Sequence, residues 1–373
     1  MSAVLQTVLW SLFIASSLPV GVGEQREHGQ QQHERQEQAD AKCARRATSC
    51  TGKTPVAVNR VTDHFIGKRT YKLFIPPTYS PSVPAPVILS FHGRTKTADR
   101  QLALDKLTSP FFNNDTIVVY PNGINNTWEG VPLVTTDDRG FTAAILDTLE
   151  REHCIDTARI YATGKSQGGG LVGQLACDPV LSKRIAAFAP VAGAFYIDHN
   201  NLTHRANHSN NLVIADGDSK QQRQNQKKLT RCAPEEMEIP CTPGRRKIPI
   251  IEFQGGADQI IPYGGGPRRR GCLPAIPHWV RGWAARNGLD ARRNVSRGLG
   301  VGVNGEGSEA AVVYEFGEGS ERGLVTHVYC GDRVGHSWPS TRPNADSKEN
   351  GDARAGFNAS AVMMGFFGRW ALC

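Results

Sequence analysis

One stretch narrows the fold more than any other. Ile160-Tyr161-Ala162-Thr163 is an apolar, β-forming run that passes through Gly164-Lys165-Ser166-Gln167-Gly168 into a helical pattern carried by Leu171, Leu175 and Leu181. A serine on a tight turn between strand and helix lifts its hydroxyl above a sheet, and glycines on either side remove side chains that would collide there. A bare Gly-x-Ser-x-Gly also arises by chance, and an ordinary Gly-rich helix start is the competing reading. The strand before it and the helix after it favour the strand–turn–helix unit.

The rest of the chain repeats that unit. Strands are expected at Tyr71–Ile75, Val87–Phe91, Ile117–Tyr120 and Ile160–Ala162, then at Ile185–Val191, Ile248–Phe253, Ala311–Phe316 and Leu324–Tyr329. Helices fall between and after them: Phe141, Ala144, Ile145 and Leu149 share one helical face, a second helix is expected near 278–287, and one closes the chain around 359–370. The strand runs lack polar alternation, as expected when helices cover both faces of a mostly parallel sheet. The class is therefore α/β. Two stretches break the rhythm, a polar one at 204–228 and a Gly-rich one at 298–307, and both read as surface insertions.

A serine hydroxyl needs a base, and something to orient that base, before it becomes nucleophilic at neutral pH. Asp258 follows the 248–253 run in Gln254-Gly255-Gly256-Ala257-Asp258, at the carboxyl edge of the sheet where open α/β folds place their sites. His336 stands in Val334-Gly335-His336-Ser337-Trp338-Pro339, beyond the next strand pair. Asp332 is a rival acid, and Asp258 has the plainer reading of a turn cap. The order Ser166, Asp258, His336 matches that of α/β-hydrolases. Two backbone N–H groups are expected to face a developing oxyanion: Gln167, just after the serine, and Arg94, in His92-Gly93-Arg94 after the 87–91 strand. His92 competes as a base on residue type, but its place on the oxyanion loop argues for support. Lys165 reads as a solvated or structural neighbour rather than a catalytic amine.

The ends and cysteines speak to compartment. Residues 1–23 read as a cleavable signal, too polar and broken to span a bilayer, although its first residues lack a basic side chain. Residues 24–42 are a Gln-, Glu- and Arg-rich spacer with too little apolar surface to order, and 43–373 is left as one catalytic domain. No other segment is apolar enough to span, so no membrane association is expected of the mature chain. Nine cysteines, Cys43, Cys50, Cys154, Cys177, Cys232, Cys241, Cys272, Cys330 and Cys373, contain no Cys-x-x-Cys pair, which favours disulfides over a metal or redox motif. Their odd number leaves at least one thiol free or paired between chains. Sequons at Asn114, Asn125, Asn201, Asn207, Asn294 and Asn358 suit a secreted glycoprotein. The +8 charge, from 43 basic and 35 acidic residues, has its densest runs at Arg245-Arg246-Lys247 and Arg268-Arg269-Arg270. Both runs are too short and lack the aromatic platforms for a nucleic-acid partner.

At this point the chain resembles secreted fungal feruloyl esterases of the α/β-hydrolase superfamily, akin to polyhydroxybutyrate-depolymerase-like esterases. The resemblance runs through Cys50-Thr51-Gly52-Lys53-Thr54-Pro55, Ser90-Phe91-His92-Gly93, Tyr120-Pro121-Asn122-Gly123, Thr127-Trp128-Glu129-Gly130, Cys154-Ile155-Asp156-Thr157, the Ser166 motif, Asp258 with Pro262-Tyr263, and Gly335-His336-Ser337-Trp338-Pro339. It implies hydrolysis of esters that join ferulic and related hydroxycinnamic acids to plant cell-wall polysaccharide, such as arabinoxylan or pectin side chains. It implies no metal and no organic cofactor, and nucleophile, acid and base roles for Ser166, Asp258 and His336. Trp128, Trp338 and His92 are candidate substrate-side residues, with packing behind the loops as the alternative for the two indoles. Gln254 departs from the pattern, since many relatives carry His there. No carbohydrate-binding module is expected. Acetylxylan esterase, polyhydroxyalkanoate depolymerase and serine peptidase share the same constellation, and an inactive carbohydrate-binding protein is the reading from another class.

Overall fold

The computed structural model describes residues 50–198, 232–300 and 308–373, all within one compact unit, Arg46–Cys373. The expected signal and spacer, Cys43, the sequons at Asn201 and Asn207, the 204–228 insertion and most of the Gly-rich stretch lie outside the described residues. The strands are β1 (Arg60–Ile66), β2 (Arg69–Ile75), β3 (Ala85–Phe91), β4 (Ile117–Pro121), β5 (Ile155–Lys165), β6 (Ala187–Val191), β7 (Ile197–Asp198), β8 (Ile250–Gln254), β9 (Gly266–Arg268), β10 (Gly271–Leu273), β11 (Asn294–Leu299), β12 (Ser308–Glu309), β13 (Ala311–Phe316), β14 (Val325–Tyr329) and β15 (Arg354–Ala355). Ten of them form one sheet in the order β1-β2-β4-β3-β5-β6-β8-β14-β13-β11. Its centre, β4 to β14, is parallel, and antiparallel pairs close both edges. This is the α/β-hydrolase arrangement.

The missing polar alternation now has its cause. Val87, Leu89 and Phe91 enter one core and Ile88 the other, because successive side chains of a strand point to opposite faces. Helices α2 (Asp138–Glu152) and α3 (Gln167–Cys177) close the first core with Phe141, Ile145, Leu149, Leu171 and Leu175. On the other side α1 (Ala98–Asp105) and α6 (Ala359–Phe367) contribute Leu104, Met363, Phe366 and Phe367. Each such fully buried side chain is worth about 1.5–3 kcal/mol over leaving it in water. Helix α4 (Ile276–Arg286) adds Trp279 and Trp283 to the first core.

Three differences from expectation are physical. Helix α3 stops at Cys177 because Pro179 follows; Leu181 sits in a separate 3-10 turn but still reaches the same core. Edge strands β1 and β11 were missed because their sequences, RVTDHFI and NVSRGL, are largely exposed and carry no apolar run. Part of the Gly-rich insertion, Gly298 and Leu299, is in fact strand β11. Disulfides join Cys50 to Cys154, Cys177 to Cys241 and Cys232 to Cys272, and Cys373 is also disulfide-bonded. Among the described residues the free thiol is Cys330, buried just after β14, where burial pushes its ionisation far up.

Candidate active site

Strand β5 delivers Ser166 into a turn with φ 59° and ψ −117°, a conformation few L-residues adopt. The turn is over-determined. Ser166 N–H donates to Val191 O at 2.9 Å, and its carbonyl accepts from Gly170 and Ala194, each at 2.9 Å. A methyl group at Gly168 would lie 2.2 Å from Phe91 O, and one at Gly164 would lie 2.6 Å from the Gly168 carbonyl carbon, so neither position admits a side chain.

His336 Nε2 lies 2.9 Å from Ser166 Oγ, and His336 Nδ1 lies 2.7 Å from Asp258 Oδ2. The expected trio therefore forms one hydrogen-bonded line across three loops at the carboxyl edge of the sheet. Asp258 is 2 % exposed, yet well supplied with donors. Its Oδ1 accepts from Ile260 N–H at 2.8 Å and Ile261 N–H at 2.7 Å, and its Oδ2 from Gln254 Nε2 at 2.8 Å. Gln254 also donates to Ile261 O at 2.8 Å, so this departure from the family pattern buttresses the acid loop. Asp332, the rival, accepts from the Tyr329 hydroxyl instead.

Burial holds the His336 imidazole below its usual 6.5, and the Lys165 charge pushes the same way, against the opposing pull of Asp258. At neutral pH the ring is therefore neutral and free to accept a proton. Lys165 is a buried tie. Its Nζ donates to His336 O at 2.8 Å and pairs with Asp346 Oδ2 at 3.0 Å, while Asn350 Nδ2 donates to the same carbonyl at 2.8 Å. Asp346 and Asn350 belong to a short helix, α5 (Ala345–Asn350), whose Asn344 capping box fixes its start. Sequence reasoning missed this clamp, because no signal linked α5 to the serine loop.

His92, Trp128 and Trp338, the candidate substrate-side residues, are buried and do not line the cavity over Ser166. His92 Nε2 accepts from Gly123 N–H at 3.0 Å, so its proton is on Nδ1, which donates to Gly93 O at 2.7 Å. Burial lowers its pKa to about 4. Trp128 is fully buried and donates its indole N–H to His92 O at 2.7 Å, with its ring against His92 and Phe91. Trp338 is 2 % exposed and donates to Ser360 Oγ at 3.1 Å. All three hold loops from behind, because burying an indole or imidazole there satisfies both its apolar surface and its N–H.

A cavity of about 230 Å³ opens over the serine, lined by Ser166, His336, Gln167 and Arg94 and walled by Tyr196 and Ile261. The N–H groups of Gln167 and Arg94 donate to no protein acceptor among the described residues, which leaves both unspent beside Ser166. Thr127 Oγ1 donates to Gln167 Oε1 at 2.8 Å and ties the Trp128 loop to the serine turn. Of the described sequons, Asn114, Asn125 and Asn294 are exposed, whereas Asn358 is half-buried and its carbonyl accepts from Ser340 and Thr341. Among the described residues, no helix is long and apolar enough to cross a membrane and no group of three or more His, Cys, Asp or Glu is placed to hold a metal.

Fold and site together define an α/β-hydrolase with a Ser–His–Asp hydrogen-bonded line. By sequence the chain is similar, over part of its length, to fungal feruloyl esterases. It is 33 % identical over 132 residues to a probable feruloyl esterase C of Aspergillus niger, covering 34 % of this chain and 47 % of that one. It is 34 % identical over 132 residues to feruloyl esterase C of Emericella nidulans, with the same coverage. The chain thus spans about half the length of the curated relatives it matches. No family model matches it. Among solved structures, an acetyl xylan esterase from Aspergillus awamori superimposes over 82 % of this chain and 99 % of its own, with a TM-score of 0.47 and 14 % identity.

Proposed function

We propose that the protein is a secreted carboxylic-ester hydrolase that releases ferulic and related hydroxycinnamic acids from plant cell-wall polysaccharide. The observation that carries this reading is the line Ser166–His336–Asp258, with 2.9 and 2.7 Å links, at the floor of the cavity. Its acyl class is supported by the feruloyl esterase relatives. Secretion is supported by the disulfide set, which suits an oxidising compartment.

In this mechanism His336 takes the Ser166 proton as Oγ attacks the ester carbonyl, and the Gln167 and Arg94 N–H groups receive the oxyanion. Asp258 fixes the imidazole tautomer and stabilises the imidazolium. His336 then gives its proton to the departing sugar oxygen. Water, activated by the same imidazole, attacks the acyl-serine and frees the acid. The test is ferulic acid release from feruloylated arabinoxylan by the full chain, with Ser166→Ala as control. Wild-type release with none from the variant supports the reading. Cleavage of naphthyl acetate, polyhydroxybutyrate or a peptide anilide in preference to methyl ferulate would reassign the acyl class.

A further inference from the structure

The cavity over Ser166 is far more cationic than ester cleavage requires. Six cationic side chains line it against two carboxylates, Asp346 and Glu349. Those two are already engaged: Lys165 and Arg100 pair with Asp346, and Lys96 and Arg100 with Glu349. The remaining three, Arg94, Arg268 and Arg269, have no ion pair within 4 Å among the described residues. The Nε of Arg268 is buried and has no hydrogen-bond partner among the described residues. A donor withheld from water and left unmatched costs stability unless something else supplies the acceptor.

The backbone makes the same point independently. Arg268 ends β9 and pairs with Gly271 of β10, so Arg269 and Arg270 form a two-residue hairpin turn. Both have positive φ, 49° and 63°. Such turns favour Asn and Gly, because side chains crowd the backbone there. Two arginines in succession run against that preference, at a place where one of them lines the catalytic cavity. The hairpin is also held firm. Strand β10 pairs with β7, and Cys272 within it is bonded to Cys232. Guanidinium groups with no ion pair among the described residues, carried on a fixed hairpin at the cavity over the nucleophile, suit an anion, above all the planar, bidentate carboxylate.

We infer that the β9–β10 hairpin is a carboxylate-recognition element, and that the preferred substrate is an ester on an acidic sugar, a hexuronic acid residue of the polysaccharide. This rests on the esterase reading above. Under that reading the charge belongs to the alcohol side, because a hydroxycinnamoyl group carries no charge until its ester is cleaved.

The test compares kcat/KM for a feruloyl ester of galactose and the matching ester of galacturonic acid, which differ only in CH₂OH against COO⁻. Wild type is expected to favour the acidic ester by about tenfold or more at low salt, the lower end of what one charge-assisted hydrogen bond supplies. The gain falls in KM and shrinks as salt shortens the screening length to about 10 Å at 0.1 M. Arg268→Gln, and Arg269→Gly, which relieves the positive φ and so preserves the turn, should each pull the acidic-to-neutral ratio toward one. A wild-type ratio of one, or a preference untouched by both variants, overturns the inference. Failure to cleave either ester overturns the esterase reading itself, a different outcome from cleaving both alike.

Discussion

The floor and the rim of the cavity are built on opposite rules. At the floor, the carboxylate of Asp258 takes four hydrogen bonds, His336 is clamped at both ring nitrogens and at its carbonyl, and Ser166 is pinned through its backbone. At the rim, Arg268 and Arg269 have no ion pair among the described residues and stand on a hairpin whose backbone strains to hold them. Saturated hydrogen bonding fixes geometry for chemistry; unsatisfied charge leaves room for a ligand. Catalysis belongs to the first kind of region and selectivity to the second.

The sharpest break of that contrast is Asp258→Asn. Removing the charge and tautomer control while keeping the shape should cut kcat by about 10⁴-fold, without changing the acidic-to-neutral substrate ratio. Steady-state kinetics on the two esters checks both halves. Next is Trp128→Ala, which empties a fully buried indole site behind the oxyanion loop. It should cost about 3–5 kcal/mol in a denaturant melt and depress methyl ferulate and a short acetate ester alike; a selective loss of ferulate would return Trp128 to the substrate.

Lys165→Met gives a smaller effect with a diagnostic sign. The lysine charge disfavours protonated His336, so its removal, which also leaves Asp346 with Arg100 as its remaining cationic partner, raises the imidazole pKa. The acid limb of kcat/KM, expected below pH 6.5 in wild type because burial depresses that pKa, should move to higher pH. Activity should fall by about tenfold as the His336 carbonyl loses one of its two ties. An unmoved limb would show that Lys165 acts through packing alone.

Much of the central sheet was legible, because Val87–Phe91 and Ile117–Tyr120 are largely apolar runs whose composition reports burial on both faces. The line Ser166–Asp258–His336 was legible as chain order and loop position, since the fold dictates which strand ends meet. What escaped was decided by tertiary context. Trp128 and Trp338 look the same in sequence whether they face a ligand or a core. Arg268-Arg269-Arg270 read as an ordinary basic run, because nothing in it tells that β9 and β10 fold it over the serine. The α5 clamp on Lys165 joins residues about 180 positions apart by hydrogen bonds that leave no pattern in either segment.

Ester cleavage by this chain needs one activated hydroxyl, and covalent labelling reads it directly. The folded chain, treated with a fluorophosphonate and digested for mass spectrometry, should carry one adduct, on Ser166. The labelling rate should drop as the pH falls through the His336 titration below 6.5, and Asp258→Asn should slow it sharply. An unlabelled folded protein, or an adduct on any residue other than Ser166, would contradict it.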